Sequence, residues 1–129
     1  MTLDAHIEEL CRQHSVTRIV KPGRGRCRAR SRVIRHPPIQ EEMNYFVALH
    51  EIGHAVLGLP AGLSRLDREA WCWRWALDHA AYEPHFSTRQ RISACLVRYL
   101  YRAAERGWRV PTAESDYWRL LAWWDQAAA

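Results

Sequence analysis

The stretch Val47-Ala48-Leu49-His50-Glu51-Ile52-Gly53-His54-Ala55-Val56 limits what this chain can fold into more than any other. With Tyr45 and Phe46 ahead of it, its apolar residues form a stripe through Leu49, Ile52 and Val56, so the segment reads as a helix packed into a core. His50 and His54 fall one turn apart and leave the same face of that helix. A core helix that presents two imidazoles side by side can offer both to a single metal ion. Glu51 lies about 100° further round, near such an ion but outside its coordination shell. A general base belongs there, because a catalytic metal lowers the pKa of water towards neutrality and a nearby carboxylate can take its proton. In a chain of this composition, with seven histidines, His-Glu-x-x-His arises by chance roughly 0.03 times. The competing reading is a histidine pair on an ordinary surface helix, and the apolar stripe weighs against it. Gly53 costs about 1 kcal/mol inside a helix relative to alanine, and makes sense where something approaches the backbone closely.

A chain of 129 residues is long enough for one domain and short for two, which gives a single domain over residues 1–129. A hydrophobic fraction of 48% and seven tryptophans argue against disorder, since they offer ample apolar surface to bury. No apolar run approaches a membrane span, and the opening Met1–His14 is amphipathic and acidic, unlike a signal peptide. The expectation is a cytoplasmic protein without a membrane partner. Cys11, Cys27, Cys72 and Cys95 are scattered and form no Cys-x-x-Cys pair, so they read as reduced packing residues. The net charge of +5 comes from arginine and favours acidic partners or nucleic acid in general.

The remaining punctuation predicts a fold class of α+β, mainly α. Leu3 to His14 has helical spacing. Val16 to Val20 is a short β-branched run, Lys21-Pro22-Gly23-Arg24-Gly25 supplies turn chemistry, and Cys27 to Ile34 alternates, so the pair reads as a hairpin. The HExxH helix runs from about Gln40 to Leu57, with Gly58 closing it. Ser64 and Asp67 resemble a capping box opening a third helix, about Arg65 to Ala80. Ser87 can cap a fourth, ending near Arg106 before Gly107, and Pro111-Thr112 starts a fifth through Trp124. The tryptophans at 71, 73, 75, 118, 123 and 124 are expected to be mostly core.

A catalytic zinc takes three protein ligands and keeps one open position. Downstream of His54 the candidates are Asp67, Glu69, Asp78, His79 and His85. On a helical wheel Glu69 shares its arc with Leu66, Ala70, Trp73, Ala76 and Leu77, a carboxylate on the apolar face. An unpaired carboxylate there is costly, so it calls for a cation. The alternative is that Glu69 snorkels or pairs with an arginine. Asp67 shares its arc with Arg74 and Asp78 and already has a role in the cap. His79 reads as a surface or outer residue, and at most one of Tyr82 and His85 faces the cleft as a hydrogen-bond donor.

Leu49-His50-Glu51-Ile52-Gly53-His54 after a short strand, and Leu66-Asp67-Arg68-Glu69-Ala70 followed by Trp75-Ala76, together resemble the small gluzincin-type metallopeptidases of the ImmA/IrrE-like family found in phages and mobile elements. The resemblance spans roughly residues 16 to 80. It implies a minimal zincin-like domain: an active-site helix, a small N-terminal hairpin or sheet, and C-terminal helices. It further implies Zn2+ on His50, His54 and Glu69, with Glu51 as base and acid. An edge strand near Arg30 to Arg35 would hold an extended protein or peptide substrate, such as a regulator, by strand addition. Family members often carry a second carboxylate two residues earlier, which keeps Asp67 as an alternative ligand, and the spacing from His54 to Glu69 is short for the group.

Arg24, Arg26, Arg28, Arg30 and Arg32 recur at every second residue, and in a strand all five would project to one face. Such a ladder can meet nucleic acid or an acidic protein. A solvated face that discourages edge-to-edge pairing is the preferred reading, because no aromatic residues are interleaved for base stacking. Two functions follow: a zinc metalloendopeptidase, or a basic non-catalytic binding module with a structural or vestigial zinc site. The first is favoured because Glu51 has no task in a purely structural site.

Overall fold

The computed structural model describes residues 1–123. Along the chain they form α1 (Leu3–Gln13), β1 (Thr17–Val20), β2 (Arg26–Arg28), β3 (Val33–His36), α2 (Glu42–Leu57), α3 (Arg65–His79), α4 (Phe86–Arg106) and α5 (Asp116–Leu121). The class is α+β and mainly α, as the pattern predicts.

The punctuation acts locally much as expected. The Ser64 hydroxyl accepts from the Asp67 amide at 3.1 Å and donates to its carboxylate at 2.7 Å, which starts α3. Gly58 and Gly107 close α2 and α4 with φ of 72° and 68°, where a side chain would be strained. Two boundaries differ. His85 rather than Ser87 precedes the first turn of α4, and α5 begins only at Asp116, after Ser115, whose side chain caps the Tyr117 amide. Pro111 and Thr112 instead lie in the connecting loop, where the Thr112 carbonyl accepts from the Trp118 indole.

The sheet differs more. Its order is β1-β3-β2, with β1 parallel and β2 antiparallel to β3. The hairpin is therefore β2–β3, not the predicted pairing of 16–20 with 27–34. What reads as one strand from Cys27 to Ile34 is broken by a turn over 29–32, in which Arg32 takes φ 54°. A left-handed non-glycine residue costs on the order of 1 kcal/mol. Its guanidinium offsets this by donating to the Ala55 carbonyl at 2.9 Å and to the His14 carbonyl, satisfying the C-terminal turns of α2 and α1. The arginine ladder accordingly stops short of residue 32. Ile34, the most apolar member of the segment, is fully buried and takes the central strand. The predicted edge strand at 30–35 is thus the middle of the sheet, and β2 is the edge beside α2.

The core runs through Ile7, Ile34, Tyr45, Phe46, Leu49, Ile52, Leu66, Ala76, Ile92 and Leu96, so α2 lies at its centre. The Tyr45 hydroxyl meets His6 Nδ1 at 2.7 Å and accepts from the Ala81 amide at 2.8 Å, tying α1 and the end of α3 to α2. Trp73 and Trp75 are buried and Trp118 and Trp123 pack against the core, so these tryptophans are mostly core as expected, with Trp71, 37% exposed, the exception among those described. Trp75 is covered by His79 and His14, whereas no aromatic ring among the described residues covers Trp71. Trp124 lies outside the described residues. No helix among them is long and apolar enough to cross a membrane, and all four cysteines are free thiols.

Candidate metal centre

The apolar stripe of α2 forces His50 and His54 inward against α3, and Gly53 lets the two helices approach. A Cβ at Gly53 would lie 3.0 Å from the Cys72 carbonyl oxygen, so the glycine serves a close contact between backbones. That contact sets Glu69 opposite the two imidazoles. His50 Nε2 is 2.7 Å from one Glu69 oxygen and His54 Nε2 is 3.1 Å from the other. One donor atom from each of the three residues falls within 4.8 Å of the others, the only such group of three among the described residues.

All three side chains are largely withdrawn from water, and the His50 ring stacks on Trp73 at a centroid distance of 4.1 Å. Burial opposes protonation of His50, but the Glu69 and Glu51 carboxylates outweigh it and raise its pKa to about 10. Burial likewise pushes the Glu69 carboxyl up, and the two histidines overcome it, holding the group well below the usual carboxylate range. A buried carboxylate thus faces two imidazole nitrogens, and it is the carboxylate that calls for positive charge nearby. Two imidazole nitrogens and a carboxylate oxygen at this spacing form a donor set that fits zinc.

Glu51 adjoins the group: one of its oxygens is 3.3 Å from His50 Nδ1. Its position is fixed from the sheet side by Gly25. A Cβ at residue 25 would come within 2.7 Å of Val47 Cγ1 and 3.2 Å of a Glu51 oxygen, so only glycine lets the chain entering β2 pass over the Glu51 face of α2.

Two cavities, about 710 Å³ and 440 Å³, flank the cluster, and both are lined by Gly25, His50, Glu51, Glu69 and Tyr99. The donors therefore sit on the floor of an open cleft. Asp67 lies elsewhere, in the α3 cap and beside a separate depression with Thr112 and Asp116. His79 Nδ1 donates to the Trp75 carbonyl at 2.8 Å. Tyr82 and His85 both gather on Glu42, the phenol donating at 3.0 Å and the His85 amide at 2.8 Å, and neither lines the cleft.

The tyrosine that does reach the cleft is Tyr99 of α4. Burial and the Glu69 carboxylate push its phenol pKa up, so it remains a hydrogen-bond donor. Nothing adjacent in sequence marks it, because it reaches the site only through the packing of α4. Comparison of the chain with protein-family models, curated proteins and solved structures finds no match.

Proposed function

We propose that this chain is a zinc-dependent metallopeptidase of the HExxH type, acting in the cytoplasm on a protein substrate such as a regulator. The observation that carries the reading is the convergence of His50, His54 and Glu69 within 4.8 Å on the floor of a cleft, with Glu51 beside them. These three residues would hold the ion. When bound, zinc supplies Lewis acidity, polarising a carbonyl oxygen and lowering the pKa of water towards neutrality.

The chain's own residues do the rest. Glu51 takes the proton of the attacking water and returns it to the leaving amine nitrogen, which needs a carboxylate near the ion and not coordinated to it. The protonated Tyr99 phenol donates towards the substrate carbonyl oxygen as that oxygen gains negative charge. Burial of the cluster strengthens both interactions, since charges act over a lower dielectric there. The resemblance to ImmA/IrrE-like peptidases agrees with this assignment and does not supply it.

Metal content and cleavage test the reading together. Protein purified without added zinc should carry one zinc per chain, and His54→Ala should lose it. Glu51→Gln keeps the metal and the thermal stability but lowers chelator-sensitive peptide cleavage by about 10²–10⁴-fold. Cleavage undiminished in Glu51→Gln would remove the general-base role. A Glu51→Gln chain that loses its metal or its fold, with no cleavage by the natural protein, would make the glutamate structural and leave a basic binding module in place of an enzyme.

A further inference from the structure

The walls of the cleft carry one sign of charge. Arg26, Arg28, Arg30 and Arg68 line the larger cavity. Arg24, Arg91, Arg98 and Arg102 line the smaller. The acidic residues lining either cavity are Glu51 and Glu69, and Glu69 is already engaged by two histidines.

Most of these arginines have no carboxylate partner among the described residues, as also holds for Arg35, Arg65, Arg89, Arg106 and Arg109 elsewhere, so the cleft leaves its positive charge uncompensated. Arg12, Arg18, Arg74 and Arg119 each meet a carboxylate of the same chain. Of the cleft arginines only Arg91 does so among the described residues, through an exposed contact with Glu41 at 2.8 Å. Two further features fit a missing anionic partner. Arg26 stands directly opposite Arg35 in the β2–β3 register, although like charges in that position repel. The Nε atom of Arg68, which lines the larger cavity, is buried without a hydrogen-bond partner among the described residues, and an unsatisfied buried donor is destabilising.

The backbone indicates what form the partner takes. β2 is the edge of the sheet, so one side of its peptide groups is free to pair, and the segment from Gly25 to Ser31 forms a wall of the larger cavity. Arg26 and Arg28 are exposed and alternate with the half-buried Cys27. A strand added to β2 would place every second side chain beside these two guanidiniums.

We infer that the cleft selects an extended polypeptide segment bearing acidic side chains at alternate positions, paired to the β2 edge and flanked by arginines on both sides of the metal centre. This inference rests on reading the cleft as a peptide site, and it adds the class of sequence recognised. Nucleic acid is the competing polyanion. Arg26 and Arg28 lie on an edge strand whose free peptide groups can pair with another backbone, which favours the peptide.

Binding is measured on the full-length, zinc-loaded Glu51→Gln chain by fluorescence anisotropy, so that no cleavage is needed. The probes are a twelve-residue peptide with Asp or Glu at every second position, its Asn/Gln counterpart, the acidic peptide N-methylated on alternate backbone amides, and single-stranded and duplex DNA of similar charge. The acidic peptide should bind about tenfold more tightly than its amide counterpart, with affinity falling as salt rises. Backbone N-methylation should remove most of that affinity. Arg26→Ser with Arg28→Ser, and Arg98→Ser with Arg102→Ser, should each weaken binding about fivefold, while Arg12→Ser leaves it unchanged. Equal binding of the acidic and amide peptides, indifference to N-methylation, or tighter binding of DNA with the same arginine dependence would each overturn the inference. Acidic-peptide binding by a natural chain that never cleaves would instead refute only the peptidase reading, and cleavage with a preference for neutral sequences would refute only the acidic selectivity.

Discussion

His36 on one hand, and the pair His50 and His54 on the other, differ in how their ring nitrogens are satisfied. His36, fully buried at the end of β3, has one partner for each ring nitrogen: Nε2 accepts from Arg18 Nε at 2.8 Å, and Nδ1 faces the Pro37 carbonyl at 2.8 Å. Those partners define a neutral ring with its proton on Nδ1. Burial, partly offset by the Pro37 carbonyl, lowers its pKa in agreement. His50 and His54 instead share the two oxygens of a single carboxylate, with a second carboxylate beside them and a cleft above. The first arrangement is closed and holds a strand in place. The second gathers donors around a point that a cation can occupy, so the two differ in local satisfaction and not simply in burial.

The sharpest way to break this comparison is to remove the acidic partner of one group and the basic partner of the other. Glu69→Gln should weaken zinc binding by more than about 100-fold, because a direct ligand matters more than the outer partners whose loss costs 10–100-fold. Arg18→Met and Asp67→Asn should change it by less than about threefold, read by competition with a chromogenic chelator. Equal losses from Glu69→Gln and Asp67→Asn would reverse the ligand assignment.

Arg18→Met should act on stability instead. It leaves the buried Nε2 of His36 without a donor, at a cost of about 1–3 kcal/mol in urea unfolding, with zinc content intact. A fully stable variant would show that His36 is less closed than its contacts indicate.

Gly53→Ala probes the contact that brings α3 to the site. The added methyl meets the Cys72 carbonyl oxygen, so overpacking outweighs the gain in helix propensity, for a net loss of about 1 kcal/mol. Because the same shift moves Glu69, zinc affinity should fall about tenfold, or about 1.4 kcal/mol. Unchanged affinity would mean that the two helices hold Glu69 without that contact. On the sheet side, Arg32→Ser removes donors to two helix ends and should cost about 1–2 kcal/mol, while Arg26→Ser with Arg28→Ser stays within about 0.5 kcal/mol.

The smallest effect is on pH dependence. His36 has a lowered pKa in the folded chain, so its contribution is present above the unfolded value, about 6.5, and is lost as pH falls through the folded value. His14, lowered mainly by burial, acts in the same direction. With chelator present, the drop in unfolding free energy between pH 7.5 and 5.5 should therefore be smaller for His36→Gln than for the natural chain. An identical drop in both would mean that His36 does not titrate differently on folding.

The α2–α3 half of the molecule was legible because its signals are local and agree with one another. Apolar spacing, paired histidines and caps all specify the same two helices, and Glu69 on the inner arc of α3 meets the histidines as the wheel predicts. The 24–32 segment was not. Its alternation of arginine with small residues imitates a strand, and Ala29-Arg30-Ser31-Arg32 contains none of the glycine, proline or asparagine that usually announces a turn. The turn forms there because Arg32 can reach two helix ends that are distant in sequence.

By itself, then, the sequence determined the mainly helical α+β class, the helix that carries His50, Glu51 and His54, and the side of α3 that bears Glu69. These follow from periodicities of a few residues, which the backbone enforces wherever the segment lies. Only the tertiary structure decided that β3 runs between β1 and β2, that Gly25 passes over Glu51, that Tyr99 rather than Tyr82 or His85 enters the cleft, and that arginines from β2, α3 and α4 line its walls. Those relations join residues far apart in the chain, and the packing of whole elements, rather than any local preference, brings them together.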